Sequence, residues 1–393
     1  SNRSTIVNGF RNIIKGEPLS PDLKYRDWTS ALFFGQPHVD NLISSGNHNR
    51  ILDFGPQSKP LSYIPVRKST IINGRFNTIS GSNMSFIGTG MENRIHGLLG
   101  MYGNNAILHG SVNTINYGTY RSTILGGLEN EIVRVKEGAG TFGNPVFGGL
   151  NVVQSHQNFI GHGYQNTISG VTYGTILNGE TNSLTWGGDV NGVTISSNYA
   201  ILNGASNTIG SLGWFKPLVG DMRYSQIVGG NVNEIRGYSR NATIGGGERN
   251  SILGAGGNEF GAANILSPNN QLTGATSEFG AYNSMIGAGY GNTISGHTFI
   301  ANSFIGAGAY NHIWRSPHSL IGSGYWNRIL ASPVSENFTG ASASTIVGGM
   351  RNWISGETIA SSIVGGEQNR ILQLGTNGDT LPSTQRSSKG HYS

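Results

Sequence analysis

The stretch STILGGLENEI, at residues 122–132, is one copy of the repeated motif that determines the fold of this chain. Close copies are STIVNGFRNII at 4–14, STIVGGMRNWI at 344–354 and SSIVGGEQNRI at 361–371. The shared pattern is S-x-I-x-G-G-x-x-N-x-I, in which the two Ile positions are eight residues apart and the Asn position does not move. A motif that recurs with fixed internal spacing indicates a repeat architecture, in which each copy is one structural unit.

The Asn of the pattern, called the anchor Asn below, recurs along most of the chain. The anchors Asn77 and Asn93 are 16 residues apart, which is room for two short strands and two turns. Because the anchor and the second Ile are two residues apart, their side chains share one face of the strand, and we expect both to face inward. Buried amides need partners, so we predict a hydrogen-bonded ladder of anchors along the stack. The predicted ladder comprises Asn77, Asn93, Asn130, Asn166, Asn250, Asn327, Asn352 and Asn369.

The composition favours strands over helices. The 393 residues include 62 Gly, too many for helices, while the Ile and aromatic content argues against disorder. There is no Cys, which excludes disulfides and thiolate chemistry. We therefore predict an all-β chain: a β-solenoid of about 16-residue, two-strand coils over residues 1–372, with long loop insertions on one edge and an irregular C-terminal tail at 373–393.

The two strands of a coil differ on their outward faces. In the second strand the residue after the anchor is usually polar, as at Thr78 and Glu131, so this face is expected to be solvated. In the first strand the residues beside the inward Ile are small or apolar, as at Leu125 and Val347. A strand that is apolar on both faces needs a cover on each. The sequence encodes no helices for this, so the simplest cover is the same face of another copy of the chain. A flat dimer could supply it, but three copies around an axis bury the face better. We therefore predict that the chain forms a homotrimer through the first strands.

The repeats resemble those of trimeric adhesin heads of the YadA type and of phage tail fibres and tailspikes. The segments that carry the resemblance are SFIGTGMENRIHG at 85–97, STILGGLENEI at 122–132, NSMIGAGYGNTISG at 283–296 and SLIGSGYWNRI at 319–329. The chain departs from the adhesin pattern in its longer coils and in its anchor Asn, which stands where a small Ala is usual. The resemblance implies an extracellular protein of a virion tail or a bacterial cell surface that attaches to a host.

Long insertions interrupt the coils, and several of them carry aromatic side chains. Most leave the repeat after the second Ile, so they are expected to emerge along one edge of the stack, where solenoids often place binding loops. One interpretation is that these loops cap the ends and fill grooves between subunits. The other is that they bind host-surface carbohydrate, which aromatic rings contact through their faces. The candidate carbohydrate-binding residues are Trp28, Phe33, Trp186, Trp214, Phe215, Lys216 and Arg223.

The main functional hypothesis is a non-enzymatic surface fibre that binds glycans. The alternative is a tailspike polysaccharide depolymerase, a glycoside hydrolase or lyase, on the same solenoid. Glycosidases use paired carboxylates, for which Asp189 and Asp221 on successive insertions are the candidates, with Asp27 and Asp40 as a further pair. The sequence predicts no metal, no cofactor, no membrane span and no nucleic-acid partner, because it lacks metal-ligand spacing, long apolar runs and basic blocks.

Overall fold

The computed structural model describes most of the repeat. The described residues are 4–15, 40–52, 68–97, 103–116, 119–133, 155–171, 173–185, 198–210, 224–236, 239–254, 281–296, 300–330, 342–356, 358 and 360–373. They divide between two compact units, unit 1 up to Asn182 and unit 2 from Ser183. Of the predicted tail, only Gln373 is among them.

Within the described residues the fold is all-β, and the β-solenoid prediction is confirmed. Every coil contributes one strand to each of two parallel sheets of sixteen strands. Sheet 1 holds the first strand of each coil, and sheet 2 holds the strand after the anchor Asn. Neighbouring strands pair in register, Ile124 with Ile160 in sheet 1 and Ile132 with Ile168 in sheet 2, so equivalent residues stack in columns.

The strands are short because two to four residues suffice to cross the thin coil. Sheet 1 consists of Thr5–Ile6, Leu42–Ile43, Thr70–Ile71, Phe86–Ile87, Ala106–Ile107, Thr123–Ile124, Phe159–Ile160, Thr175–Ile176, Ala200–Ile201, Gln226–Ile227, Thr243–Ile244, Met285–Ile286, Phe304–Ile305, Leu320–Ile321, Thr345–Ile346 and Ser362–Ile363. Sheet 2 consists of Ile13–Lys15, Arg50–Leu52, Thr78–Ser80, Arg94–His96, Thr114–Ile115, Glu131–Val133, Thr167–Ser169, Ser183–Thr185, Thr208–Gly210, Glu234–Arg236, Ser251–Gly254, Thr293–Gly296, His312–Trp314, Arg328–Leu330, Trp353–Gly356 and Arg370–Gln373. Two smaller parallel sheets precede some coils, one of Thr119–Tyr120 and Ser155–His156, the other of Ser239–Arg240, Ala281–Tyr282 and Ile300–Ala301.

The core lies between the two sheets and is built from the Ile columns. Ile124 of sheet 1 and Ile132 of sheet 2 are fully buried, and so are their equivalents in the inner coils. In the terminal coils the column is partly open, with Ile6 45% exposed and Ile14 and Ile371 half-buried. Each fully buried Ile stabilises the fold by about 1.5–3 kcal/mol relative to an exposed one. The eight-residue spacing therefore supplies two core residues per coil.

The anchor Asn side chains also face the interior, where they form a continuous ladder within each unit. Asn130 is fully buried, and its backbone N–H donates to Oδ1 of Asn113 in the preceding coil at 3.0 Å. Its Nδ2 donates to the carbonyl oxygen of Gly126 in its own turn (3.1 Å) and to that of Gly163 in the next coil (3.0 Å). The same contacts recur at the other anchors, of which Asn12 and Asn369, in the terminal coils, are only half-buried.

The two connections within a coil differ in how much their length varies. From the sheet 1 Ile to the anchor the chain always takes six residues, as from Ile244 to Asn250, and we call these segments the constant turns and their row the constant edge. From the end of a sheet 2 strand to the next sheet 1 strand the length varies widely. All the long insertions begin and end at this second, variable edge.

Candidate binding surface on the constant edge

The sequence-predicted carbohydrate-binding residues and carboxylates lie outside the described residues, apart from Asp40. This holds for Trp28, Phe33, Trp186, Trp214, Phe215, Lys216 and Arg223, and for Asp27, Asp189 and Asp221. Their roles stay predictions. The described part of the chain carries a different surface that the sequence reading did not single out.

That surface is built from the two variable positions of the constant turn, the x-x before the anchor Asn. The first x forms single-residue parallel bridges with its neighbours, such as Tyr290 with Ala309 and Ala309 with Tyr325. The second x adopts a left-handed backbone, with φ of 56° at Tyr310 and 59° at Trp326. This conformation is uncommon for large residues, and a backbone hydrogen bond to the preceding coil secures it, at 3.0 Å from the Trp326 N–H to the Ala309 oxygen.

Four aromatic side chains meet on three consecutive coils of unit 2. We call Tyr290, Tyr310, Tyr325 and Trp326 the edge cluster. The ring centroids of Tyr290 and Tyr310 are 5.2 Å apart, and those of Tyr310 are 5.8 Å from Tyr325 and 5.9 Å from Trp326. Tyr310, Tyr325 and Trp326 are each about 40% exposed, at 42%, 41% and 40%. The cluster is therefore a packed group of rings whose outer faces are open to solvent.

Small residues next to the rings allow this packing. Gly291 follows Tyr290 in its turn, and a Cβ atom built on Gly291 would lie 3.1 Å from Cδ1 of Tyr310. Ala309 likewise takes the bridge position in the coil that carries Tyr310. In the first two coils a ring thus shares its turn with a small residue, whereas the third coil carries rings at both x positions, Tyr325 and Trp326. The Tyr290–Tyr310 and Tyr310–Tyr325 pairs meet edge to face, with interplanar angles of 77° and 88°, a geometry favourable by about 0.5–1.5 kcal/mol per pair.

Two arginines contact the rings at the two ends of the edge cluster. Arg249 donates a hydrogen bond from Nη1 to the hydroxyl of Tyr290, and its guanidinium carbon lies 5.6 Å from the Tyr290 ring centroid. At the other end the guanidinium carbon of Arg328 lies 4.9 Å from the ring centroid of Trp326. Hydrogen bonding to Tyr290 raises the pKa of the Tyr310 phenol, and the same hydroxyl raises the pKa of Arg249.

Unit 1 carries a smaller group of aromatic rings at the same two repeat positions. The His48 ring lies 5.8 Å from that of Phe10 and 5.0 Å from that of Phe76, with Arg75 over Phe76 at 4.7 Å. Further along, the turns place Glu92, Val112 and other unlike residues at the same positions, so the aromatic row ends.

The outward face of sheet 1 is a second distinctive surface. In unit 2 it presents Val228, Val347 and Val364 to solvent, with Gly287 and Gly306 between them. In unit 1 it presents Ile72, Leu108 and Leu177. The residues that the sequence reading expected to be covered are thus uncovered in the single chain.

No family model and no curated protein matches this chain, so the proposals below depend on the structure and the sequence alone. No helix among the described residues is long and apolar enough to cross a membrane. Across the same residues, no group of three or more His, Cys, Asp or Glu is placed to hold a metal ion.

Proposed function

We propose that this chain is a segment of a homotrimeric surface fibre that binds host-surface carbohydrate, with the edge cluster as its best-supported binding surface. The observation that carries the proposal is the exposure of three packed aromatic rings on a rigid turn row. Exposed apolar groups of this size usually mark an interaction site, and rings that neighbours hold in place lose little entropy on binding.

Carbohydrate fits this surface better than an apolar ligand does. The rings of the cluster are about 40% exposed, whereas apolar small molecules favour enclosed pockets. Three of the rings carry phenol hydroxyls, and guanidinium groups lie at Tyr290 and Trp326, so a well-matched ligand offers both a flat C–H face and hydrogen-bonding groups. A sugar ring offers both. The backbone beneath is fixed by in-register bridges, which favours a site that is largely formed before the ligand arrives.

The trimer remains part of the proposal, with the outward face of sheet 1 as the contact between copies. This apolar face runs along the strands of each unit, and a second copy presents the same residues at the same strand spacing of about 4.7–4.9 Å. Because the strand spacing is the same in both copies, equivalent apolar residues can meet along the whole face, which supports self-association through it. An extracellular location on a virion or a cell surface follows from the proposed role and is itself a proposal.

The test compares the edge cluster with a matched turn in unit 1. Tyr310→Asn and Trp326→Asn remove the rings but keep a residue that tolerates the left-handed backbone. Val112→Asn is the control, since Val112 occupies the same repeat position in unit 1 with a φ of 56° and belongs to neither aromatic group. We expect both unit 2 variants to weaken binding to glycan arrays or host cells at least tenfold without lowering the melting temperature. Equal binding by all three variants would remove the edge cluster as the site.

The depolymerase hypothesis stays open as an alternative. Its candidate carboxylates, Asp189 and Asp221, fall outside the described residues, so no geometry bears on it. Incubation with host capsule, followed by assays for new reducing ends and unsaturated uronates, tests it directly.

A further inference from the structure

Three arginines lie next to the edge cluster. Arg328 and Arg370 lie on the outward face of sheet 2, and Arg351 occupies the left-handed position of a constant turn. No carboxylate among the described residues lies within ion-pair distance of any of the three. Two acidic side chains described on neighbouring constant turns have other partners: Glu248 pairs with Arg249 at 3.7 Å, and Glu367 accepts a hydrogen bond from Gln368.

The arginines alternate with indole rings across the strands. Arg328 pairs in register with Trp353, and Trp353 pairs in register with Arg370. The guanidinium carbon of Arg370 lies 5.7 Å from the Trp353 ring centroid, and that of Arg328 lies 4.9 Å from Trp326. Arg328 and Arg370 therefore each have an aromatic neighbour that restricts the side chain, which lowers the entropy cost of pairing with an anion.

We infer that this surface, from the edge cluster across Arg351 to Arg370, binds an acidic polysaccharide whose sugar rings carry carboxylates. The inference depends on the carbohydrate-binding function proposed above and specifies its ligand class. Aromatic faces contact the sugar rings, while guanidinium groups offer the planar, two-pronged donors that carboxylates accept. Because rings and cations follow one another across neighbouring strands of unit 2, an extended polymer lying across the strands meets them in turn.

The charge pattern distinguishes this ligand from a neutral glycan. A neutral polymer would leave three guanidinium groups beside the binding surface with no role in recognition. An acidic one would pair with them, and binding would weaken as salt concentration rises, since exposed charges are screened.

The experiment uses polymers in matched pairs: polygalacturonate, alginate and hyaluronan, each beside its carboxyl-reduced form. The full chain and the variants Arg351→Gln and Arg370→Gln are compared by surface plasmon resonance at two salt concentrations. Arg50→Gln is the control, because Arg50 occupies in unit 1 the repeat position of Arg328 and Arg370. We expect at least one acidic polymer to bind, its reduced form to bind at least tenfold more weakly, and each unit 2 variant to lose about fivefold.

Each other outcome overturns a defined part of the inference. Equal binding of acidic and reduced polymers, with the arginine variants unaffected, removes the acidic class and leaves carbohydrate binding intact. Failure to bind any polymer counts against the proposed function itself. A change in oligomeric mass in Arg351→Gln or Arg370→Gln would make the surface a subunit contact. Tighter binding to a thymidine oligonucleotide than to every glycan would assign it to nucleic acid.

Discussion

The side-chain oxygen of Asn233 accepts a hydrogen bond from the backbone N–H of Asn250, one coil further along, at 3.0 Å. The Nδ2 atom of Asn233 donates to the Gly229 oxygen of its own turn (3.0 Å) and to the Gly247 oxygen of the next (2.9 Å). One buried side chain therefore closes its own turn and fastens the following coil. An Asp could not replace it, because the carboxylate would lack the two donors.

Substitution of this anchor should destabilise unit 2. Asn233→Ala leaves buried backbone groups of two coils unpaired, and we expect a loss of about 1–3 kcal/mol in the free energy of unfolding. Asn231→Ala is the matched control, since Asn231 is exposed two residues earlier in the same turn, and its effect should stay within about 0.5 kcal/mol. Denaturant titration of both variants measures the difference. Equal midpoints would show that the ladder contributes nothing to stability.

The paired glycines of the constant turn should respond very differently to a methyl group. Gly247 has a φ of +88°, and a Cβ there would lie 2.1 Å from the Gly289 oxygen of the next coil. A Cβ on Gly246 would meet no atom within 4 Å. Gly247→Ala should therefore disrupt the stack and lower the melting temperature strongly, while Gly246→Ala changes it little. Similar melting temperatures for the two variants would contradict the close approach of the turns.

His312 should make the stability of the fold depend on pH. Burial, and then the charge of Arg328, lower the pKa of His312 from 6.5 to about 4. As pH falls from about 6.5 to about 4, the unfolded chain takes up a proton that the folded chain does not, so stability falls through this window, by roughly 3 kcal/mol in total. Above that window the contribution is fully present.

The variant His312→Gln tests this dependence in thermal melts between pH 4 and pH 7. We expect it to flatten the curve relative to His318→Gln, which alters an exposed ring in the same unit. Some slope should remain, because burial, and then the charge of Arg94, also lower the pKa of His96. Identical slopes in the two variants would mean that His312 does not cause the effect.

Two exposed valines of one coil allow a matched test of the proposed subunit contact, because only one of them lies on it. Val228, on the outward face of sheet 1, is 42% exposed, and Val232, on the constant edge, is 44% exposed. Val228→Asp places a charge in the proposed contact and should dissociate the trimer, while Val232→Asp should not. Light scattering should give three times the 41.7 kDa chain mass for the parent chain and for Val232→Asp. A monomeric parent chain would exclude the trimer.

The fold could be predicted because a few positions repeat in every coil, with Leu184 as the one replacement of Ile at the second Ile position. The spacing of Ile124, Asn130 and Ile132 fixes two strands, one turn and three inward side chains, and it recurs in every coil. The chemical type of the anchor's hydrogen-bond partners could also be predicted, namely backbone groups of the turn and the anchors of neighbouring coils. The sequence did not specify that the anchor Oδ1 receives the N–H of the next coil, since that depends on the register between coils.

The edge cluster was missed because its members occupy the positions that the repeat leaves undefined. Tyr290 and Tyr325 take the first x, Tyr310 and Trp326 the second, and their positions in the chain are far apart. Each looks incidental within its own copy. Aligning the copies and reading down these two columns would have revealed the concentration of aromatics in the coils that end at Ile294, Ile313 and Ile329.

The constant length of one turn has a consequence for how this chain can change over evolution or by engineering. Since register is set again in every coil by the six residues before the anchor, a difference in length at the variable edge is not passed on to the next coil. Segments there can be lengthened, shortened or exchanged one at a time, while Asn250 still meets Asn292 across a gap of 42 residues as closely as Asn311 meets Asn327 across 16. The solenoid is therefore a scaffold on which foreign peptides could be grafted at many independent sites.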